Sequence, residues 1–334
     1  MHHRRYLHES LLLNDGKVLV TGGVYTEVFS LRAAELYDLS TGTWTNTSSM
    51  HVPRSSHTMS LLSDGKVLVT GGTQDGSIGI KDAEIYDPIS GNWTKTKSMH
   101  DPRESHTASV LSNGKILITG GGSDFDTALD TCELYDPSTG NWSKTSTMHT
   151  SRMLHTETVL SNGKVLVTGG TTEKNTTELY DPVTGNWTKS APMNVGRFWH
   201  TATLLRNGQV LVTGGTIDFS ITTARAELYN PSTDTWTITG SMQHQRFDHT
   251  ASLLPDGKVL VTGGLMDAYA KTNSTELYDP TTGNWTNAGD MLMAIDFHTA
   301  SVLKDGSVLV SGGNQYGGPI TTAELYNPRG AKHS

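Results

Sequence analysis

Only one cysteine, Cys132, occurs in the 334 residues, which excludes an intramolecular disulfide and any metal site built from several thiolates. No apolar run reaches the roughly 18 residues of a membrane-spanning helix. Charge is sparse: Asp, Glu, Lys and Arg make up 17% of the chain, and the net charge of −8 is scattered without a basic cluster. That gives no footprint for nucleic acid or an anionic membrane, and neither is expected as a partner. The opening MHHRRYLHESLLL carries positive charge but only a three-residue apolar run, so it does not read as a secretory signal. Nowhere do apolar residues recur with a period of 3.6 over a helical length, so helices are not expected either. A core drawn from 35% hydrophobic residues must therefore be held by the packing of strands.

What the chain has instead is repetition. Met1, Met50, Met99, Met148, Met193, Met242 and Met291 open seven similar units, 1–49, 50–98, 99–147, 148–192, 193–241, 242–290 and 291–334. Glycine pairs keep the same beat, from Gly22-Gly23 and Gly71-Gly72 to Gly312-Gly313. Trp44, Trp93, Trp142, Trp187, Trp236 and Trp285 close six units, and the seventh stops with His333 at the tryptophan position. Fixed self-similarity at such a period is the mark of a repeat architecture.

Each unit reads as four strands. HTASLL or a variant forms strand a. A two-residue turn such as Asp64-Gly65 or Asn113-Gly114 returns the chain into KVLVTGG, strand b, the Asn-Gly/Asp-Gly hairpin signal. AELYDP and WTKT, with their variants, supply strands c and d. Four-stranded units of this length suit the blades of a propeller, packed face to face around a channel. The seventh blade is expected to have three strands, its outer strand d missing, with no amino-terminal strand to fill the gap.

The combination of Arg-x-x-His-Thr, Asp-Gly-Lys-Val-Leu-Val-Thr-Gly-Gly, Glu-Leu-Tyr-Asp-Pro and a following Trp resembles the kelch repeat. It is similar above all to bacterial-type kelch proteins and to the propeller domain of galactose-oxidase-like enzymes. The resemblance covers essentially the whole chain and implies an all-β, seven-bladed propeller forming one domain over 1–334. It implies far less about function, because propellers are scaffolds for unrelated sites.

Positions that recur in every unit are best explained by architecture. The glycine pairs allow a close backbone approach, and the aromatic of Leu-Tyr-Asp and the tryptophans read as inter-blade packing. His8, His57, His106, His155, His200, His249 and His298 share one register position, which invites a metal hypothesis. Arg5, Arg54, Arg103, Arg152, Arg197 and Arg246 precede six of them, however, and Glu35, Glu84, Glu133, Glu178, Glu227, Glu276 and Glu324 recur as well. A structural Arg/His/Glu hydrogen-bond network is the simpler reading, and histidines spread around a wide ring do not converge on one ion. No metal and no cofactor are expected.

Function is expected where the repeat breaks. Antiparallel strands put the a–b and c–d turns on one face and the b–c and d–a connections on the other, and only the second face varies in length and chemistry. There the last three units carry Phe198-Trp199, Phe247-Asp248 and Asp296-Phe297 before the histidine, with Asp218, Phe219, Asp267, Tyr269 and Tyr316 on the matching b–c stretches. With Arg197 and Arg246 these residues make a candidate recognition patch, since aromatics beside carboxylates and arginines are what binding hot spots use. The same aromatics are equally suited to plugging the channel.

Galactose-oxidase-like enzymes use a copper site with tyrosine and histidine ligands and a tyrosine cross-linked to cysteine. Cys132 stands instead inside strand c, where other units have Ala34, Ala83 or Ala226, and reads as a buried small residue. The chain also lacks the further domains of such enzymes, so radical-copper chemistry is not expected, and no catalytic motif stands out from a Ser- and Thr-rich background. Asn-x-Ser/Thr occurs at Asn46, Asn92, Asn141, Asn175, Asn186, Asn273 and Asn284. Four of these are the GNWT or GNWS turn itself, so the compartment stays open, the extracellular space included. The expectation is a monomeric, non-catalytic scaffold that binds a protein or peptide. A glycan-binding module, or an enzyme with its site at the channel mouth, are the alternatives.

Overall fold

The β-branched VLVT segments that follow each a–b turn are fully buried strands, and they organise everything around them. The computed structural model describes residues 1–328 apart from residues 27, 28, 125 and 219 and the side chain of residue 268. Six antiparallel sheets of four strands and a seventh of three follow one another along the chain. In blade 2 the strands are Thr58–Leu61, Val67–Thr70, Ala83–Asp87 and Asn92–Lys95, paired in that order. Strand a of each blade touches strand a of the next, including the first and last, Glu9–Leu12 and Thr299–Val302. The ring is therefore closed around a central channel, with strand d outermost. Blade 7 consists of Thr299–Val302, Val308–Ser311 and Ala323–Tyr326, as its sequence leads one to expect.

The core is a set of layers between blades. Along strand b successive side chains point to opposite faces. Val67 and Val69 accordingly pack with Leu19 and Ala34 of blade 1, while Leu68 packs with Ile116 and Ile118 of blade 3. Cys132 takes the alanine position in the layer between blades 3 and 4, beside Val165 and Tyr180. Each strand-d tryptophan lies against the strand-c tyrosine of its own blade, at 4.9 Å for Tyr86 and Trp93. In blades 2 to 6 its indole N–H donates to the preceding blade, as from Trp93 to the Ser48 carbonyl at 2.8 Å.

The a–b hairpins differ from the two-residue turn that Asp-Gly suggests. Leu62 N–H donates to the Lys66 carbonyl and Gly65 N–H to the Leu62 carbonyl, so three residues form the loop. Only Gly65 has positive φ, +84°, whereas a two-residue type I′ turn would need it at both positions.

The glycine pair is the seam between blades. Gly71 has φ +60°, and a Cβ there would lie 2.5 Å from the Arg103 carbonyl oxygen and 2.6 Å from His106 Cε1. Gly72 N–H then donates to that Arg103 carbonyl at 2.9 Å. The same bond closes the ring, from Gly313 N–H to the Arg5 carbonyl at 2.8 Å, with no strand exchanged between the ends.

Candidate functional site

The expected Arg/His/Glu network separates into two. Arg54 lies wholly inside its blade, with Nη2 3.0 Å from Glu84 and Nη1 donating to the carbonyls of Gly71 and Asp82. Glu84 also accepts the backbone N–H groups of His51 and Val52. Burial alone would raise such a glutamate, but in blade 1 the N–H groups of His2 and His3 and the charge of Arg5 overcome it and hold Glu35 at about 2. The ring histidines bond neither partner. His106 Nε2 instead meets the hydroxyls of Thr58 and Thr70 on the preceding blade, at 3.0 and 3.2 Å. Across the closure His8 meets Thr299 at 3.0 Å. Burial, reinforced by the nearby arginines, keeps these imidazoles neutral, His155 at about 3 and His298 at about 4.

One residue before each histidine the backbone turns left-handed. Leu7, Ser56, Ser105, Leu154, Trp199, Asp248 and Phe297 have φ between 50° and 56°, a conformation costing non-glycine residues about 1–2 kcal/mol each. Hydrogen bonds running around the channel offset that cost. Ser56 N–H donates to Leu7, Ser105 to Ser56, Leu154 to Ser105, Trp199 to Leu154, Asp248 to Trp199, and Leu7 to Phe297, at 3.0 to 3.3 Å. These residues form the collar of the channel mouth, on the b–c/d–a face.

Above the collar the aromatic departures from the repeat meet. Trp199 is stacked on Phe247 with centroids 5.6 Å apart and 21° between planes, and it meets Phe297 edge-on at 6.3 Å. Phe297 continues to Tyr6 at 6.0 Å. Trp199 and Phe297 form a ridge between two hollows. Over blades 5 to 7 a cavity of about 930 Å³ is lined by Trp199, Phe247, Asp248, Tyr269, Asp296, Phe297 and Tyr316, with Lys271. Over blades 1 to 4 lies one of about 820 Å³. Beneath the collar the channel holds a smaller space, lined by ring histidines, Glu9 and Asp248.

The remaining sequence candidates are placed differently. Arg197 and Arg246 are fully buried and bonded to Glu227 and Glu276 at 2.8 Å each. They occupy the repeat position of Arg54 and turn into their blades, so the structure does not bring them to the surface of the expected recognition patch. Phe198 is also fully buried, with the Lys174 ammonium 5.4 Å from its ring centre, so it supports Trp199 from beneath. Asp218 is spent on its own turn, accepting from Ser220 and Ile221. Asp267 ties two loops together by accepting Thr222 N–H at 2.9 Å and the Gln245 side chain. Phe219 lies outside the described residues.

Two carboxylates at this mouth have opposite fates. Asp296 is bound by Lys271. Asp248 leaves Oδ2 without a partner, and burial, with Asp296 nearby, raises it well above the usual carboxylate range.

This is a propeller whose recurring arginines and glutamates pair inside the blades and several of whose irregular residues gather at one mouth. A family model described as the KLHDC2/KLHL20/DRC7 kelch-repeats domain matches residues 1–170, and the kelch motif matches residues 152–194, 201–243 and 248–292. The chain belongs to the kelch-repeat family. No curated protein matches it. Among solved structures it is similar to a fungal alcohol oxidase of the AA5 family in complex with copper. The two are 20% identical over 93% of this chain and 70% of the oxidase, with a TM-score of 0.78, a likeness of fold.

The residues do not fit that oxidase's metal. Among the described residues no three His, Cys, Asp or Glu side chains are grouped to hold an ion. Cys132 is sealed between blades, where burial pushes its thiol up to about 12. Among the described residues no helix is long and apolar enough to cross a membrane.

Proposed function

We propose that this chain is a non-catalytic binding scaffold whose b–c/d–a face takes a protein or peptide ligand. Kelch repeats commonly mediate protein interactions, which supports the class of ligand. The observation that carries the reading is the cavity over blades 5 to 7. Seven of the residues that break the repeat, Trp199, Phe247, Asp248, Tyr269, Asp296, Phe297 and Tyr316, line one hollow. Packing alone would not ask for this: the earlier units hold the same two loop positions with Ser55-Ser56 and Glu104-Ser105. Tyr269 and Tyr316 stand 61% and 74% exposed at its rim, where large, rigid aromatic surface is available to a partner at little entropic cost.

The same residues plug the channel only in part, since hollows remain on both sides of the ridge. A displayed library of random peptides and a glycan array, each applied to the wild-type protein and to Trp199→Ala, test the assignment. Peptide binders lost in the variant are expected. Glycan hits lost in the variant would replace the peptide by a sugar, and binders indifferent to Trp199 would remove the site.

A further inference from the structure

Two residues before the channel histidine, blade 7 carries Asp296 and blade 3 carries Glu104, 2% and 9% exposed. Their surroundings differ. Lys271, on the b–c loop of blade 6, reaches Asp296 Oδ1 at 2.5 Å and also donates to the Asn314 carbonyl at 3.1 Å. It stands 25 residues before its partner. The residue equally far before Glu104 is Gly79, where a Cβ would come within 2.9 Å of the Arg103 backbone. No side chain, let alone a lysine, fits there. Arg103 itself turns into the blade, to Glu133 at 3.2 Å. Glu104, nine-tenths buried as a residue, thus presents to the cavity a carboxylate without a side-chain hydrogen bond or ion pair among the described residues, where blade 7 has a matched pair.

Glu104 lines the cavity of about 820 Å³ over blades 1 to 4, together with Asp75 and Asp126, and no lysine, arginine or histidine among the described residues lines it. Met153 and Leu154 add apolar wall, and Trp199 and Phe297 face the hollow from the ridge. We propose that this cavity is a subsite for one cationic side chain, arginine or lysine, of a bound polypeptide. The carboxylates supply the counter-charge, the apolar wall takes the aliphatic stem, and the aromatic ridge offers faces to the cation. An uncompensated buried carboxylate is costly, and a ligand that brings its partner removes that cost. Burial, with Asp124 and Asp75 nearby, raises Glu104 to about 7, so near neutral pH part of the free protein carries a proton there that a bound cation would displace. The assignment rests on the reading that this face binds a polypeptide.

The Met153 methyl, inside the cavity, is a reporter. With the full chain carrying methyl-labelled methionine, N-acetylarginine methylamide, its lysine counterpart and the neutral citrulline counterpart are titrated and the Met153 resonance followed. Arginine and lysine are expected to saturate the shift, with citrulline at least about tenfold weaker. In Glu104→Gln the preference for arginine over citrulline should shrink severalfold, with Asp75 and Asp126 left to supply the remainder. The variant's melting temperature at mildly alkaline pH, expected at or above that of the wild type because an unpaired buried charge is gone, establishes that it is folded. Citrulline binding as well as arginine, or Glu104→Gln preferring arginine as strongly as the wild type, overturns the subsite. Displayed peptides that depend on Trp199 but show no enrichment in arginine or lysine would sink this inference alone. No Trp199-dependent peptide at all would sink the wider function with it.

Discussion

His298→Ala isolates one rivet of the seam between blades. Its Nε2 lies 3.2 Å from Thr250 Oγ1 and 3.0 Å from Thr262 Oγ1, and the ring is 5% exposed. Removing it leaves the buried Thr262 hydroxyl with Thr250 alone, a loss of about 1–3 kcal/mol near neutral pH. The pH dependence is the sharper test. Burial first, then Arg246, lower the folded imidazole to about 4, whereas the unfolded one titrates near 6.5. A base depressed in the folded state stabilises fully above the unfolded value, and that stability drains away as pH falls from 6.5 toward 4. At about pH 5 the wild type has given up about 2 kcal/mol through this one group, at about 1.36 kcal/mol per unit, and the variant has given up none of it. The facing charges, Arg246 paired to Glu276, Asp248 on the collar, and the neighbouring His8 and His249, are present in both proteins, so they enter the difference only through their coupling to the His298 ring. Urea denaturation at neutral and mildly acidic pH should show the penalty shrinking by about 2 kcal/mol. A penalty of the same size at both would mean that His298 is not held neutral by the fold.

Three further outcomes follow from the same geometry. Arg246→Ala should cost about 3–5 kcal/mol in urea by leaving Glu276 buried without its cation, so any loss of binding should track loss of folded protein. Gly71→Ala should destabilise by about 3 kcal/mol or more, combining left-handed strain with the clash at Arg103, whereas Gly114→Ala, at φ +80° with nothing near its Cβ, should cost only the strain of about 1–2 kcal/mol. A chelator should leave the melting temperature where it was if the ring histidines are spent on threonine hydroxyls, as from His106 to Thr58 and Thr70, and bind no ion; a drop would revive the histidine ring as a metal site.

Much of this fold is legible because repetition makes its residues announce themselves. The glycine pairs, the strand-b valines and the strand-d tryptophans each serve the same contact in blade after blade, so their period is also their explanation. The candidate patch was read less well for the same reason. Arg197 and Arg246 hold the repeat position of Arg54 and Arg103, and that recurrence was already the sign of a buried partner to Glu227 and Glu276. The collar had little signal in the residue types: Leu7, Ser56, Trp199 and Phe297 are not residues that favour positive φ, and circumferential hydrogen bonds accompany that conformation. Nor could residue types alone reveal that Lys271 reaches Asp296 while Gly79, at the corresponding place, packs against the Arg103 backbone, because that depends on which loops face each other.

The central claim, that the irregular mouth binds and the monotonous turns do not, comes down to one comparison of affinities for a peptide selected on the wild-type protein. Trp199→Ala, on the ridge between the cavities, is set against Ile89→Ser, 98% exposed in a c–d turn on the opposite face. The account expects Trp199→Ala to weaken binding by about 2 kcal/mol or more, roughly thirtyfold, with the fold intact and Ile89→Ser indistinguishable from wild type. Loss of affinity in Ile89→Ser with none in Trp199→Ala would contradict it.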